Sequence, residues 1–229
     1  MDAMKTELKQ IKLVIFDLDG TLVDTEKIYQ AGWRTVLKDY NTSISQDQLE
    51  KMRGGTRQHN NRLIQEILGG DETLAKEARE KRNAYFQAVI KQGKIDLKAG
   101  AVDLLDHLKV AGLSLAVATS SPLDRGKDIL EISGLMPYFD FVIYGNQIEH
   151  GKPQPDIYLK VLEHFQVRSQ EAVVIEDSLN GLLASSRAKL ATFYVPEIPL
   201  RDGEFDQVDE QYVIGVYNSL IEVKDVFDK

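Results

Sequence analysis

A short apolar run near the N-terminus leads into a loop rich in carboxylates. The run, LVIF at 13–16, consists of strand-forming residues and predicts a buried β-strand. The octet DLDGTLVD follows at 17–24, and its Gly20 allows the tight turn that a strand end requires. Asp17 and Asp19 lie close enough to raise one another's pKa unless a cation joins them. A D-x-D pair alone is also typical of a plain turn, but the whole octet indicates a reaction centre with a nucleophile, an acid/base and a divalent ion.

The rest of the chain separates into a helical stretch and an alternating stretch. Residues 26–92 contain no proline and space their apolar residues as helices do, whereas all six prolines lie at or after Pro122. From residue 100 onwards, predicted strands and helices alternate, which indicates a parallel sheet covered by helices on both faces. We therefore predict an α/β protein with a Rossmann-like, doubly wound parallel sheet, formed by 1–25 and 98–229, and an inserted α-helical domain at 26–97. The predicted strands are 13–16, 113–118, 139–144, 172–175, 190–195 and 212–214.

Polar residues follow three more of these strands, at the sheet edge where such folds bind ligands. Thr119 and Ser120 offer hydroxyls suited to a phosphate oxygen, although Ser and Thr before a proline also make ordinary turns. Lys152 lies in a GKPQPD loop, where two prolines stiffen the backbone and hold the positive charge in place. The alternative interpretation of Lys152 is an ordinary surface lysine in a proline-rich turn. Glu176 and Asp177 form a second acid pair whose oxygens suit Mg²⁺, and capping of the next helix is their alternative role.

The charge balance at this predicted site points to a metal independently of any motif. The acidic residues of the two pairs carry four negative charges against the one positive charge of Lys152. At an effective dielectric of ~20, each close pair of like charges costs on the order of 4 kcal/mol. The site therefore needs a cation before it can accept a phosphate ester.

The overall composition narrows the possible partners. A net charge of -8 and a sequence pI of about 5.1 argue against nucleic acid or an anionic membrane surface as a partner. The chain contains no cysteine, which excludes a disulfide framework, a thiolate metal site and the chemistry of cysteine-based phosphatases. Its N-terminus is polar and no apolar run approaches the length of a membrane span, so we expect a cytoplasmic protein. We also expect it to be a monomer.

Four motifs follow one another along the chain: DLDGTLVD at 17–24, the hydroxyl at Thr119, the lysine of GKPQPD and the acid pair Glu176-Asp177. In this order they resemble the motifs of the haloacid dehalogenase (HAD) superfamily of aspartyl-phosphate-forming enzymes. The insert resembles the cap of its helical-cap subclass. The resemblance implies that Asp17 attacks phosphorus, and that Asp19 protonates the leaving oxygen and then deprotonates water. It also implies a Mg²⁺ ion held by Asp17, the backbone carbonyl of Asp19 and Asp177, with Glu176 as a further ligand or as support. The residues that it implies for binding the phosphoryl group and the substrate are Thr119, Lys152, Gly20, Thr21 and Ser120.

The segment RGGTR at 53–57 lies between two predicted helices of the insert and resembles the cap loop of the β-phosphoglucomutase-like branch. The resemblance implies that Gly55, Thr56 and Arg57 bind substrate, with Arg57 on a phosphate. A solvated connecting loop is the alternative. That mutase carries a histidine in its first cap helix, where this chain has Tyr29, and the difference favours a phosphatase of the same branch.

We therefore expect a Mg²⁺-dependent phosphatase that hydrolyses a small phosphorylated metabolite, a sugar phosphate, through an aspartyl-phosphate intermediate. A phosphosugar mutase is the first alternative. A phospho-accepting signalling module is a more remote one, because such modules are shorter and lack the DxDGT sequence and the helical insert. A dehalogenase is disfavoured by Asp19, since that branch lacks the second aspartate.

Overall fold

The structure is a computed structural model that describes residues 10–52, 57–197, 200 and 203–228. The chain divides into two compact units: Met1–Asp24 together with Asp96–Lys229, and Thr25–Ile95. The second unit overlaps the helical insert expected at 26–97. The segments that precede and follow the insert therefore fold into one unit.

A sheet of parallel strands forms the centre of the larger unit. Its strands in the described residues are β1 (Leu13–Phe16), β2 (Ser114–Thr119), β3 (Phe141–Tyr144), β4 (Ala172–Glu176), β5 (Ala191–Tyr194) and β6 (Val213–Val216). Their order across the sheet is β3-β2-β1-β4-β5-β6, so the chain winds outwards from β1 in both directions. This order confirms the predicted doubly wound parallel sheet.

The register of the central strands determines where the polar motifs meet. β1 is fully buried, as expected of a strand that is covered on both faces. Its last residue, Phe16, lies beside Val117 of β2 and Ile175 of β4. The three strands therefore end within two residues of one another, and the residues that follow them emerge at one edge of the sheet.

Helices make up most of the smaller unit. They are α1 (Glu26–Val36), α2 (Gln46–Met52), α3 (Arg57–Ile67) and α4 (Glu72–Lys91). Trp33 packs in the core of this unit with Leu37 and Ile64, as its helical spacing predicts. The helix α4 begins after Asp71, whose side chain accepts a hydrogen bond from the Leu74 N–H at 3.0 Å. The ring of Tyr29 stacks on Phe86 with 4.5 Å between ring centroids.

Helices also cover the sheet of the larger unit. They are α5 (Ala101–Val110), α6 (Leu123–Ile132), α7 (Asp156–Phe165), α8 (Leu179–Arg187) and α9 (Leu220–Phe227). The helices α6, α7 and α8 each follow a strand and a polar loop, so the first turn of each lies near the carboxyl edge of the sheet. None of the described helices combines the length and the hydropathy needed to cross a membrane.

Candidate active site

The loops after β1 and β4 bring Asp17 and Asp177, respectively, to the edge of the sheet. The Asp17 N–H donates to the Ile175 carbonyl at 3.0 Å, which continues the pairing of β1 with β4. Gly20 has a φ of 93°, and a Cβ atom at this position would lie 2.1 Å from Asp177 Oδ2. Only glycine therefore lets this loop approach the Asp177 carboxylate so closely. The Thr21 hydroxyl donates to Asp177 Oδ1 at 3.1 Å and Thr21 is 2% exposed, and its binding of substrate stays a prediction.

The ammonium group of Lys152 brings a positive charge to this edge of the sheet. Its Nζ lies 2.6 Å from Asp17 Oδ1, 2.6 Å from Glu176 Oε1 and 2.9 Å from the Ala118 carbonyl oxygen. The ammonium group has three N–H donors, and these three acceptors use all of them. The Lys152 side chain is only 3% exposed. The lysine is thus held in one position beside Asp17, as the stiff GKPQPD loop predicts.

Glu176 is fully buried and both of its oxygens accept hydrogen bonds. Oε1 accepts from Lys152 and from the Tyr158 hydroxyl, which lies 2.9 Å away. Oε2 accepts from the backbone N–H groups of Asp177 and Ser178 and from the Ser178 hydroxyl, at 3.0 to 3.1 Å. These partners occupy the carboxylate, so of the two roles expected for Glu176 the geometry favours support over direct metal ligation.

Two hydroxyls hold the side chain of Asp19. Its Oδ2 accepts from Thr119 Oγ1 at 3.3 Å and from Ser121 Oγ at 2.5 Å. Thr119 also accepts from the Ser121 N–H at 2.9 Å. Ser121 is 1% exposed, whereas Ser120, the residue expected to bind substrate, has an exposed side chain. Ser121 is not among the predicted site residues, although it lies in the same Thr-Ser-Ser-Pro segment.

The surroundings shift the pKa values of Asp17, Asp177 and Lys152. Burial raises the pKa of Asp17 well above its usual range, Lys152 opposes this shift, and the nearby carboxylates of Glu176, Asp177 and Asp19 add to it. Burial and the charge of Glu176 raise the pKa of Asp177 to about 7, against the hydrogen bond from Thr21. Although burial alone lowers it, the pKa of Lys152 is raised because Asp17 and Glu176 stabilise the ammonium form. The cluster therefore has more negative charge than its own lysine can neutralise.

The part of the chain that the structure describes contains no group of three or more Asp, Glu, His or Cys side chains arranged to hold a metal ion. The ligand set that the resemblance implies consists of the Asp17 and Asp177 carboxylates and the Asp19 backbone carbonyl, so it does not require such a group, and it stays a prediction.

The expected cap-loop contacts lie outside what can be described. Gly55 and Thr56 fall outside the described residues, and Arg57 begins α3 without a described side chain. Their binding of substrate stays a prediction. The same holds for the binding of a phosphoryl oxygen by Thr119, whose hydroxyl contacts Asp19 here.

Comparisons with known proteins agree with the fold and the motifs. A family model described as haloacid dehalogenase-like hydrolase matches residues 14–195. Phosphorylated carbohydrates phosphatase from Thermotoga maritima is 32% identical over 197 residues, which cover 85% of this chain and 89% of that protein. Beta-phosphoglucomutase from Bacillus subtilis is 29% identical, with 78% of this chain and 80% of that protein covered. The crystal structure of CbbY from Rhodobacter sphaeroides in complex with phosphate has a TM-score of 0.75 and 27% identity, over 93% of this chain and 96% of that one. The chain therefore belongs to the haloacid dehalogenase-like hydrolases, as its four motifs predict.

Proposed function

We propose that this hydrolase is a Mg²⁺-dependent phosphatase that cleaves a small phosphorylated metabolite, a sugar phosphate, through an aspartyl-phosphate on Asp17. The observation that carries the proposal is the 2.6 Å contact between Asp17 Oδ1 and the buried Lys152 ammonium, beside an excess of acidic groups. A carboxylate that is buried yet paired with a fixed cation is suited to attack an anionic centre. The name of the Thermotoga maritima relative, phosphorylated carbohydrates phosphatase, supports the substrate class.

The residues at the sheet edge fit a Mg²⁺ ion. Asp17 is buried and Asp177 is half-buried, and both carboxyl groups have raised pKa values. A Mg²⁺ ion therefore finds two hard oxygen donors there. The close approach of Gly20 to Asp177 brings the backbone of the loop that carries the Asp19 carbonyl to the same place. We assign the ion to Asp17, the Asp19 carbonyl and Asp177, where it would neutralise the carboxylates and polarise the phosphoryl oxygens.

The chain's own residues account for the proton and charge transfers. An Asp17 oxygen forms a bond to phosphorus while the bond from phosphorus to the ester oxygen breaks. Asp19 gives its proton to that leaving oxygen, and it later takes a proton from the water that attacks phosphorus. In that second step the bond from phosphorus to Asp17 breaks, which releases inorganic phosphate and restores the Asp17 carboxylate. Lys152 stays on Asp17 and opposes the repulsion between the carboxylate and the incoming phosphoryl group. Glu176 and Tyr158 hold Lys152 in that position.

The decisive assay follows free phosphate and isomerised product on a panel of sugar phosphates and nucleotides, with Mg²⁺ or with EDTA. We expect Mg²⁺-dependent phosphate release that Asp17→Asn abolishes, because an amide oxygen is a far weaker nucleophile than a carboxylate. Asp39→Asn, which changes an exposed carboxylate of the insert in the same way, is the matched control and retains turnover. Thermal unfolding of each variant shows whether the fold is intact.

Three results would contradict the proposal in different ways. Turnover by Asp17→Asn removes the nucleophile assignment. Isomerised product without free phosphate means that the enzyme is a phosphosugar mutase. A stable phospho-aspartate on Asp17 without turnover of any ester means that the chain is a phospho-accepting module.

A further inference from the structure

The hydroxyl of Ser121 uses its full hydrogen-bonding capacity between Arg125 and Asp19. The Arg125 guanidinium donates to Ser121 Oγ twice, from Nε at 3.1 Å and from Nη2 at 2.7 Å. Arginine has only donors, so both lone pairs of the hydroxyl are taken. The single hydroxyl proton must then point at Asp19 Oδ2, which lies 2.5 Å from Ser121 Oγ.

Thr119 reinforces the same polarity from the end of β2. Its Oγ1 accepts the Ser121 N–H at 2.9 Å, which leaves its own proton for Asp19 Oδ2 at 3.3 Å. One oxygen of Asp19 thus receives two hydroxyl protons and is anchored as an acceptor. These two contacts fix the rotation of the Asp19 carboxyl group.

The backbone around Ser121 is fixed, so the chain of hydrogen bonds has a defined position. The Ser121 carbonyl accepts the Gly145 N–H at 2.9 Å, next to the end of β3. Ser121 is followed by Pro122, and Arg125 lies in the first turn of α6, four residues after the serine that it contacts. A rotation of the Arg125 side chain would free the Ser121 hydroxyl to turn away from Asp19.

We propose that Arg125, acting through Ser121, is a positioning residue that orients Asp19 for proton transfer to the leaving group. The inference rests on the proposed phosphatase mechanism and assigns to Arg125 a role that none of the four motifs contains. The proposal predicts that the effect of Arg125 on the rate depends on the leaving group of the substrate. An ester whose leaving oxygen is a poor anion needs the proton from Asp19, whereas an activated aryl ester leaves as a stable anion without it.

The test compares the first-turnover rate of ester cleavage for two substrates in the presence of Mg²⁺. The substrates are the sugar phosphate of the panel with the highest turnover and p-nitrophenyl phosphate. For Arg125→Ala we expect a loss of about 10- to 100-fold with the sugar phosphate and less than about 3-fold with the aryl ester, since general acid catalysis contributes about 10²- to 10⁴-fold. Asp19→Asn sets the upper limit of this difference between the substrates.

A matched control and a rescue separate orientation from damage to the fold. Lys127→Ala removes a positive charge from the same helix at an exposed position, where Lys127 pairs with Glu131 at 3.6 Å, and both rates should stay unchanged. Millimolar guanidinium ion added to Arg125→Ala should raise the sugar-phosphate rate and leave the aryl rate unchanged. Ser121→Ala removes the hydroxyl through which Arg125 acts, and it should reproduce the same preference for the aryl ester.

Equal losses with both substrates, or no loss with either, would overturn the positioning role of Arg125 while leaving the phosphatase assignment intact. Failure of the proposed function has a different signature, because the wild-type protein would then release no phosphate from either ester. If Arg125→Ala does not fold, the same comparison on Ser121→Ala decides the question.

Discussion

Gly181, in the first turn of α8, touches no reacting group, yet we expect Gly181→Ala to damage both stability and turnover. A Cβ atom at this position would lie 1.7 Å from Glu176 Oε1 and 1.9 Å from Glu176 Cδ. Real Cβ atoms essentially never approach another heavy atom within 3.0 Å, so the carboxylate must move. Glu176 is fully buried and is an anchor of Lys152, and its displacement therefore disturbs the contact of Lys152 with Asp17.

The magnitudes decide the sign of the effect. Helix propensity alone favours alanine over glycine by about 1 kcal/mol. Overpacking of a dense core costs about 1–3 kcal/mol, and loss of one partner from a buried ion pair costs about 3–5 kcal/mol. A displaced Glu176 keeps part of its contacts, so we expect a net loss of about 2–4 kcal/mol in the free energy of unfolding. For a chain of this size that corresponds to a decrease in Tm of roughly 5–15 °C.

Urea and thermal unfolding measure the loss, and phosphate release measures the effect on turnover. Gly151→Ala is the matched control, because Gly151 directly precedes Lys152 and a Cβ atom there would have no heavy atom within 4 Å. That variant should stay within about 0.5 kcal/mol of the wild type. If Gly181→Ala is as stable as the wild type and turns over normally, the close packing of α8 on Glu176 is wrong, and with it the account of how Lys152 is held.

Two further predictions concern the same cluster of buried groups. Tyr158→Phe removes the hydroxyl that donates to Glu176 Oε1 at 2.9 Å while keeping the ring. It should lower the free energy of unfolding by about 1.5–3 kcal/mol, which is the range for a hydrogen bond to a charged group. An unchanged urea midpoint would contradict this prediction. The raised pKa of Asp177, about 7 against an ordinary value of 3.8, means that between these pH values the folded protein binds a proton that the unfolded chain does not. In EDTA, the stability should therefore fall as the pH rises from about 4 to about 7 and then level off, and Asp177→Asn should reduce this slope; a pH series of urea midpoints in both proteins tests the sign.

The positions of the motifs could be predicted because they depend on topology and not on side-chain detail. An apolar run such as residues 13–16 has few alternatives to a buried strand, and parallel strands must end at a common edge. Convergence of Asp17, Lys152 and Glu176 at that edge follows from these two facts. Strand ends were less accurate. The third strand was predicted from 139 but begins at Phe141, where the Asp140 side chain accepts the Leu115 N–H at 2.9 Å. The sixth was predicted at 212–214 but runs from Val213 to Val216.

The hydrogen-bond partners within the site could not be predicted in the same way. Ser120 and Ser121 are identical residues in adjacent positions, and only the turn after β2 decides that the second faces Asp19. Tyr158 reaches Glu176 across 18 positions of sequence, from a helix whose apolar spacing marks it only as core. Arg125 has the spacing of an ordinary helix-surface residue. Each of these contacts depends on the rotation of a side chain, which leaves no periodic signal in the sequence.

The charge balance explains why the metal-binding role and the anchoring role fall on different acids. Lys152 gives all three of its donors to Asp17, Glu176 and the Ala118 carbonyl, so it has none left for a hydrogen bond to Asp177. Burial and the charge of Glu176 raise the pKa of Asp177, and the charges of Lys152 and Lys98 oppose this shift only in part. Glu176, in contrast, is saturated by hydrogen-bond donors and gains nothing from a further cation. An ion that binds Asp17 and Asp177 therefore replaces a proton, and its binding should stabilise the fold most at a pH above the pKa of Asp177.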